Sequence, residues 1–309
     1  MVKVAVAGGL GHVGKTIVDV LKNDPKHHVV VLSRKAPENP AVPVLTVDYD
    51  SIDSLKEVLE SNQIQAVIST LMIIDETAGK AQINLIKAAA KSAPTTKFVA
   101  SEWGVPFGPE QVAVLPHYQW WLNAADELKK TDLQWTRFAN GYFLDYWGLP
   151  HLKSYQEPFM PVLDIANKFA AIPGDGNTPV TFTYTFDLAK FVVASLDLPE
   201  WPEYSIVVGD KLTWNEFVKL AEEARSTKFE IHYDDLQKLK KGEVTELPHH
   251  PPVYQFFPKE RLQGMFAFFG YNMATGLFNL PTENSLNKKF PEIKTLTAKD
   301  VLEQVWKGK

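Results

Sequence analysis

Near the start of the chain stands Gly8-Gly9-Leu10-Gly11-His12-Val13-Gly14, a stretch that satisfies both the GxGxxG and the GxxGxxG spacing. It follows a short apolar run, Val2–Ala7, and precedes apolar residues that repeat with the period of a helix. Glycines at these spacings allow a sharp turn, a close approach of the backbone to a pyrophosphate and close packing of a helix on a strand. A plain glycine-rich turn could carry the same letters. The position between a strand and a helix favours a dinucleotide-binding loop formed by all seven residues.

Predicted strands and helices alternate through the first half of the chain. Short apolar runs predict strands over residues 2–7, 28–32, 44–47, 66–70, 97–100 and 133–138. Helical periodicity predicts helices over residues 13–21, 51–60, 78–91 and 117–130. This alternation implies right-handed βαβ units, so the predicted fold class is α/β with a Rossmann-type doubly wound parallel sheet.

The sequence changes character beyond Tyr146, where proline, aromatic and glycine residues become frequent. We therefore expect a nucleotide-binding Rossmann domain over residues 1–150 and a second, smaller substrate-binding lobe over residues 151–309. Apolar runs within residues 178–208 predict strands that rejoin the Rossmann domain.

The residues after the second predicted strand bear on the choice of cofactor. An Asp or Glu in this region binds the ribose 2′-hydroxyl of NAD, but this chain has Ser33-Arg34-Lys35. An acidic side chain would repel a 2′-phosphate, whereas a hydroxyl, a guanidinium and an ammonium group offer it charge-assisted hydrogen bonds. A solvated charged loop is the alternative. The residues favour NADP(H) over NAD(H).

Composition excludes several classes of function. The formal net charge of −5, without a long basic run, argues against nucleic acid or an anionic membrane surface as a partner. The absence of cysteine excludes disulfides, thiol catalysis and cysteine-ligated zinc, and the spacing of the 8 histidines predicts no metal site. No segment approaches the ~20 apolar residues of a membrane span. We expect a soluble, cytoplasmic monomer or homodimer that acts on a small molecule.

Several segments resemble the NmrA-like and isoflavone-reductase-like group of atypical short-chain dehydrogenases, especially its fungal members. They are the glycine loop, Ser33-Arg34-Lys35, Val67-Ile68-Ser69, Ser101-Glu102-Trp103-Gly104 in place of the family's Ser-Glu-Phe-Gly, Leu133-Gln134-Trp135-Thr136-Arg137-Phe138, Asn140-Gly141-Tyr142-Phe143-Leu144-Asp145-Tyr146, Ile172-Pro173-Gly174-Asp175-Gly176 and Asp187-Leu188-Ala189. The resemblance implies an NADP(H)-dependent reductase of an aromatic, polyketide-like or alkaloid-like secondary metabolite.

Cofactor contacts beyond the glycine loop follow from this resemblance. They are Asp48 and Tyr49 near the adenine, Ser69, Thr70 and Leu71 beside the diphosphate and ribose, and Ser101, Glu102 and Asn140 after later strands. Open α/β sheets bind ligands at the carboxyl ends of their strands, which favours these positions. Asp48 could instead cap the following helix, and Thr70 could be an ordinary strand residue.

An aromatic cluster supplies the candidate substrate contacts, which are Trp103, Trp121, Tyr142, Phe143 and Tyr146. Several of these residues follow strand ends, where a substrate would approach the cofactor. Core packing is the other role open to them.

The proton-handling residue does not follow from the resemblance. No Tyr-x-x-x-Lys occurs, and the lysine that the isoflavone-reductase-like branch carries on the helix before Leu133 is Trp121 here. His117 and Tyr118 precede Trp121, at the helix start that should face the carboxyl edge, and both side chains can exchange a proton with an oxygen. They could also merely cap and cover the helix start next to Pro116.

Three functions therefore remain open from the sequence. The protein could deliver hydride from NADPH, assist a redox-neutral isomerisation or cyclisation with bound nucleotide, or sense NADP without catalysis. The missing lysine favours the second and third, whereas the aromatic cluster favours an enzyme.

Overall fold

The computed structural model describes residues 2–309 of the chain. Its strands are β1 Val2–Ala7, β2 His27–Ser33, β3 Val44–Thr46, β4 Ala66–Ser69, β5 Lys97–Gly104, β6 Gln134–Ala139, β7 Tyr142–Phe143, β8 Leu163–Asp164, β9 Phe169–Pro173, β10 Val180–Thr183, β11 Tyr204–Ile206, β12 Asp210–Leu212 and β13 Glu230–Asp234. Its α-helices are α1 His12–Leu21, α2 Ile52–Ser61, α3 Glu76–Lys91, α4 Pro109–Val114, α5 Gln119–Leu128, α6 Thr185–Ser195, α7 Trp214–Arg225, α8 Leu236–Lys240, α9 Lys259–Ala274, α10 Leu286–Lys289 and α11 Ala298–Trp306.

These elements form two compact units. The first contains residues 2–139, 188–207 and 284–293, and the second contains residues 140–187, 208–283 and 294–309. The chain thus leaves the first unit after β6 and returns to it twice.

The first unit is built on a seven-stranded sheet in the order β11-β6-β5-β4-β1-β2-β3. All neighbouring strands in it are parallel, which confirms the predicted Rossmann-type α/β fold. The strand order reverses between β1 and β4, and such a reversal is where doubly wound sheets bind ligands. The six strands predicted from the sequence all lie in this sheet, and β11 joins it by pairing with β6.

Apolar runs without alternation form the centre of this sheet because helices cover both of its faces. The last four residues of β1 are buried, as are all four residues of β4. α1 buries the apolar stripe that contains Ile17, Val18 and Leu21. α2 starts at the cap Ser51, whose side chain accepts a hydrogen bond from the Ser54 amide.

The second unit contains two three-stranded sheets, in the orders β12-β10-β7 and β13-β9-β8. Both β10 and β11 fall in the range expected to rejoin the Rossmann domain, but β10 pairs with β7 and β12 instead. The core of this unit includes Trp147 and Trp214, whose ring centroids lie 5.6 Å apart. Both indoles also pack on Phe182.

Among residues 2–309, no helix combines the length and the apolar character that crossing a membrane requires.

Candidate active site

The glycine loop turns directly into α1 at the carboxyl end of β1. Gly8 adopts a φ of +77°, and the Gly11 amide donates a 3.0 Å hydrogen bond to the Gly8 carbonyl oxygen. Gly11 is the N-cap of α1 and supplies no capping side chain, and the first turn of α1 contains no acidic residue. A helix start without its own anion attracts the negative charge of a ligand phosphate.

The glycines of the loop serve different purposes. A Cβ at Gly8 would lie 2.7 Å from the Thr70 carbonyl oxygen, and a Cβ at Gly14 would overlap both Thr70 and Gly8. A Cβ at Gly11 would meet nothing nearer than 3.7 Å. The packing of α1 on the strands therefore requires Gly8 and Gly14, whereas the backbone of Gly11 borders free space.

Ser33-Arg34-Lys35 forms a tight turn at the end of β2. The Ser33 hydroxyl donates a 2.8 Å hydrogen bond to the Lys35 carbonyl oxygen. Arg34 and Lys35 are exposed, and within the described part of the chain neither forms an ion pair with a carboxylate. Two unneutralised cations at this position fit a doubly charged group such as a 2′-phosphate.

Asp48 and Tyr49 take different positions after β3. Asp48 is exposed, and its carboxylate accepts a 2.9 Å hydrogen bond from the Asp50 amide. Tyr49 is buried, and its hydroxyl donates a 3.1 Å hydrogen bond to the carbonyl oxygen of Leu32, directly before the Ser33 turn. Burial raises the Tyr49 pKa, an effect that Arg34 opposes, so this phenol stays a hydrogen-bond donor that supports the turn.

Side chains tie the end of β4 to both of its neighbours. Thr70 Oγ1 donates a 2.7 Å hydrogen bond to the Ala7 carbonyl oxygen at the end of β1. From β5, Ser101 Oγ donates to the Leu71 carbonyl oxygen at 2.8 Å, and Trp103 Nε1 donates to the Ser69 carbonyl oxygen at 3.1 Å. The structure thus brings together the predicted residues of β4 and β5 at the carboxyl edge.

Glu102 is buried in an ion pair. Its carboxylate lies 3.1 Å from Arg137 Nη1 and accepts a hydrogen bond from the Tyr204 hydroxyl at 3.2 Å. Arg137 also pairs with Glu203, and its guanidinium stacks 4.1 Å from the centre of the Tyr204 ring. Burial raises the Glu102 pKa, and Arg137 opposes that rise. The network joins β5, β6 and β11, and its signal in the sequence is Arg137, the one charged residue of β6.

His117, Tyr118 and Trp121 pack together before and within α5. The predicted helix over residues 117–130 begins as a 3₁₀ turn, Pro116–Tyr118, and becomes α-helical at Gln119. The rings of Tyr118 and Trp121 stack with centroids 4.2 Å apart, and the His117 ring meets Tyr118 edge-on at 4.6 Å. Burial lowers the His117 pKa. Burial raises the Tyr118 pKa, and the Glu102 carboxylate adds to that rise. Both candidate proton donors are therefore neutral near pH 7.

Four predicted residues lie in the second unit. Asn140 is fully buried, and its carbonyl oxygen accepts a 2.7 Å hydrogen bond from Thr183 Oγ1. Tyr142 is tied by its hydroxyl to the Phe159 carbonyl oxygen at 2.9 Å and meets the Tyr146 ring at 5.4 Å. Phe143 lies 6.2 Å from the Tyr146 ring centre. The three rings therefore form one cluster within this unit.

Comparisons with known proteins identify the family and the fold of the chain. A model of an NAD(P)H-binding family matches residues 8–147. The oxidoreductase swnN of Metarhizium robertsii is 32% identical over 99% of this chain and 98% of its own length. The oxidoreductase BOA1 of Botryotinia fuckeliana is 35% identical over 95% of this chain and 96% of its own length. Leucoanthocyanidin reductase from Vitis vinifera, solved in a binary complex with NADPH, has the same fold, with a TM-score of 0.74 at 17% identity over 98% of each chain.

Proposed function

The chain belongs to the NmrA-like, isoflavone-reductase-like family of NAD(P)H-binding oxidoreductases, and on this premise we propose that it is an NADP(H)-dependent reductase. Its proposed reaction is hydride transfer to or from an aromatic, polyketide-like or alkaloid-like secondary metabolite. The observation that carries the choice of cofactor is the pair of exposed cations, Arg34 and Lys35, where an NAD-binding chain would carry an acid.

The residues present fit a dinucleotide along the carboxyl edge. The start of α1 above Gly11 would hold the pyrophosphate, and the turn at Ser33 would hold the 2′-phosphate. Asp48 and Tyr49 would border the adenine, as the resemblance implies. Tyr49 supports the turn from below through its hydrogen bond to the Leu32 carbonyl oxygen.

The remaining cofactor residues follow β4, β5 and β6. We assign Ser69, Thr70 and Leu71 to the diphosphate and ribose, and Ser101, Glu102 and Asn140 to the region of the nicotinamide. When bound, the nicotinamide supplies or accepts the hydride. The part of the protein is to orient the ring and to move the accompanying proton.

His117 is the residue we propose for the proton. Burial lowers the pKa of His117, so its neutral imidazole can accept the proton that the substrate loses when hydride leaves, and the imidazolium so formed can return that proton when hydride is delivered. Tyr118 is the second candidate, as a neutral phenol that donates a hydrogen bond. The aromatic residues Trp103, Trp121, Tyr142, Phe143 and Tyr146 are proposed to contact the substrate.

A redox-neutral isomerisation or cyclisation is the second candidate function. It is favoured by Trp121, which occupies the position of the family's lysine and stacks on Tyr118 instead of providing a cation. Absorbance at 340 nm separates the two, because the reductase consumes NADPH in proportion to product and the isomerase forms product without consuming it. Binding of NADPH without any product would instead indicate a sensor.

Calorimetric titration with NADPH and NADH tests the cofactor assignment. One or two charge-assisted hydrogen bonds contribute ~1.5–3 kcal/mol, so we expect NADPH to bind about 10- to 100-fold more tightly than NADH. Arg34→Ala should reduce that preference and leave the NADH dissociation constant unchanged. Arg261→Ala, at an exposed arginine on α9, is the matched control and should change neither constant. Equal dissociation constants in the wild type, or a preference that Arg34→Ala leaves undiminished, would contradict the assignment.

A further inference from the structure

The hydrogen-bonded pairing of β4 with β5 lacks the last bond that its register would allow. The Lys97 amide donates to the Gln65 carbonyl oxygen at 3.2 Å, and the register runs in parallel up to Ile68 and Val99. Ladder bonds between parallel strands recur every second residue. The next donor and acceptor in this series would be the Ser101 amide and the Ser69 carbonyl oxygen.

Side chains provide other partners for both the donor and the acceptor of that missing bond. The Ser101 amide donates instead to Gln82 Oε1 on α3 at 2.8 Å. The Ser69 carbonyl oxygen accepts instead from Trp103 Nε1 at 3.1 Å. Two polar side chains therefore satisfy groups that the sheet would normally pair directly, and a side chain of β5 rather than a ladder bond links it to Ser69 at the end of β4.

A bulge in β5 makes this exchange possible. The pairing of β5 with β6 shifts register between Ala100 and Gly104, and Trp103, inside the shift, has a φ of +46°. A bulky side chain rarely adopts this left-handed conformation, which persists only where its surroundings impose it. The surroundings here are the Phe138 ring, stacked on the indole with centroids 5.5 Å apart, and the Ser69 carbonyl oxygen.

Two buried polar atoms belong to residues at this irregular pairing. Among the described residues, Ser69 Oγ and Gln82 Nε2 have no hydrogen-bond partner, although both residues are fully buried. Native proteins rarely leave such groups unsatisfied, and the exceptions concentrate at functional sites.

We propose that Trp103 is a positioning residue for the nicotinamide half of the cofactor, which it orients by holding the Ser69 carbonyl oxygen and so fixing the end of β4. This inference rests on the proposed NADP(H) function for the identity of the ligand. The resembling family has phenylalanine at this position, which can stack on Phe138 but has no N–H to donate. The hydrogen bond is therefore a feature of this chain's own tryptophan.

Two ligands distinguish a positioning role of Trp103 from a general loss of structure at the nucleotide site. NADPH spans the whole site, whereas adenosine 2′,5′-bisphosphate carries only the adenine half with its 2′-phosphate. Trp103→Phe keeps the stack on Phe138 and removes only the donor. It should raise the dissociation constant of NADPH by about 5- to 10-fold, because nucleotide binding must then order the end of β4 without the one neutral hydrogen bond that holds it in the wild type, and it should leave that of the bisphosphate unchanged.

The matched control is Trp201→Phe, which removes a comparable 2.7 Å bond from an indole N–H to the Ser195 carbonyl oxygen elsewhere in the same unit. It should change neither constant. Gln82→Leu, which removes the acceptor of the Ser101 amide, should repeat the pattern of Trp103→Phe. Hydrogen exchange without nucleotide should show faster exchange at residues 69–71 in Trp103→Phe than in the wild type or Trp201→Phe.

Equal weakening of both ligands by Trp103→Phe, or no weakening of NADPH, would overturn the proposal. Unchanged exchange at residues 69–71 would overturn it as well. A wild type that binds neither ligand would refute the proposed cofactor itself, and the exchange measurement would still decide whether Trp103 holds the end of β4.

Discussion

Replacing Gly11 and Gly14 one at a time should separate nucleotide binding from folding. A Cβ at Gly11 would meet nothing closer than the Gly8 carbonyl oxygen at 3.7 Å, and the Gly11 backbone, with φ −103° and ψ 166°, suits any residue. Gly11→Val should therefore lower the free energy of unfolding by no more than about 1 kcal/mol, the usual effect of a poorer N-cap. In a chain of this size that corresponds to a fall in Tm of about 2–4 °C.

Gly14 has no such room. Its Cβ would overlap Thr70 Oγ1 and the Gly8 carbonyl oxygen and would lie 2.9 Å from the Gly8 carbonyl carbon, because α1 packs directly on the loop. Overpacking of this kind destabilises by about 1–3 kcal/mol or more, so Gly14→Ala should lower the Tm further than Gly11→Val. The expected order for NADPH binding is the reverse of the order for stability. The Gly11→Val side chain would occupy the space through which the pyrophosphate must approach, and it should weaken NADPH binding by at least about 100-fold.

Calorimetry with NADPH and thermal melts followed by circular dichroism measure both quantities on the same samples. Gly11→Ala, with a smaller side chain, should weaken NADPH less than Gly11→Val and melt near the wild type. Undiminished binding by Gly11→Val would refute the loop as the pyrophosphate site. A Gly14→Ala protein as stable as the wild type would refute the packing argument.

Two further predictions concern histidines. With a substrate identified by the 340 nm assay, His117→Ala should lower kcat by about 10²- to 10⁴-fold at an almost unchanged NADPH dissociation constant, and full turnover would exclude His117 as the proton-transfer group. Burial, reinforced by His249, lowers the pKa of His250 from 6.5 to about 4. The folded protein therefore keeps His250 neutral, and the stability that this contributes is complete above pH 6.5 and is lost as the pH falls towards 4. The free energy of unfolding from urea titrations should consequently drop by about 3 kcal/mol between pH 7 and pH 4, and His250→Gln should remove that part of the drop; an identical pH dependence in the variant would contradict the assignment.

The sequence predicts the first unit well because its signals are local. Apolar runs of strand length, separated by helical periodicity, fix β1 to β6, and the strand before the glycine loop identifies the nucleotide edge. A strand signal does not say which sheet the strand enters. The sequence correctly predicts a strand at β10, but β10 pairs with β7 and β12, whereas β11 pairs with β6.

The parts of the site that the sequence did not reveal depend on departures from regular pairing. The run 97–100 predicts a strand that stops at Ala100, but β5 continues through its bulge to Gly104. Nothing in a residue pattern marks a tryptophan with a positive φ, or a glutamine in an alanine-rich helix that receives a strand amide. The contacts of Gln82 and of the Trp103 indole are therefore seen only in the structure.

Trp121 changes which proton donors this site can use. A lysine at its position would favour the phenolate of a neighbouring tyrosine, because a nearby cation lowers a phenol pKa. The indole instead stacks on Tyr118, whose pKa is raised by burial and by the Glu102 carboxylate. Arg137 does not replace the missing cation, because it is already paired with Glu102 and Glu203. Tyr118 therefore stays a neutral phenol that donates a hydrogen bond but cannot act as a base. The imidazole of His117 can act as a base while it is neutral and as an acid once it is protonated, which places it ahead of Tyr118 for the proton that accompanies the hydride.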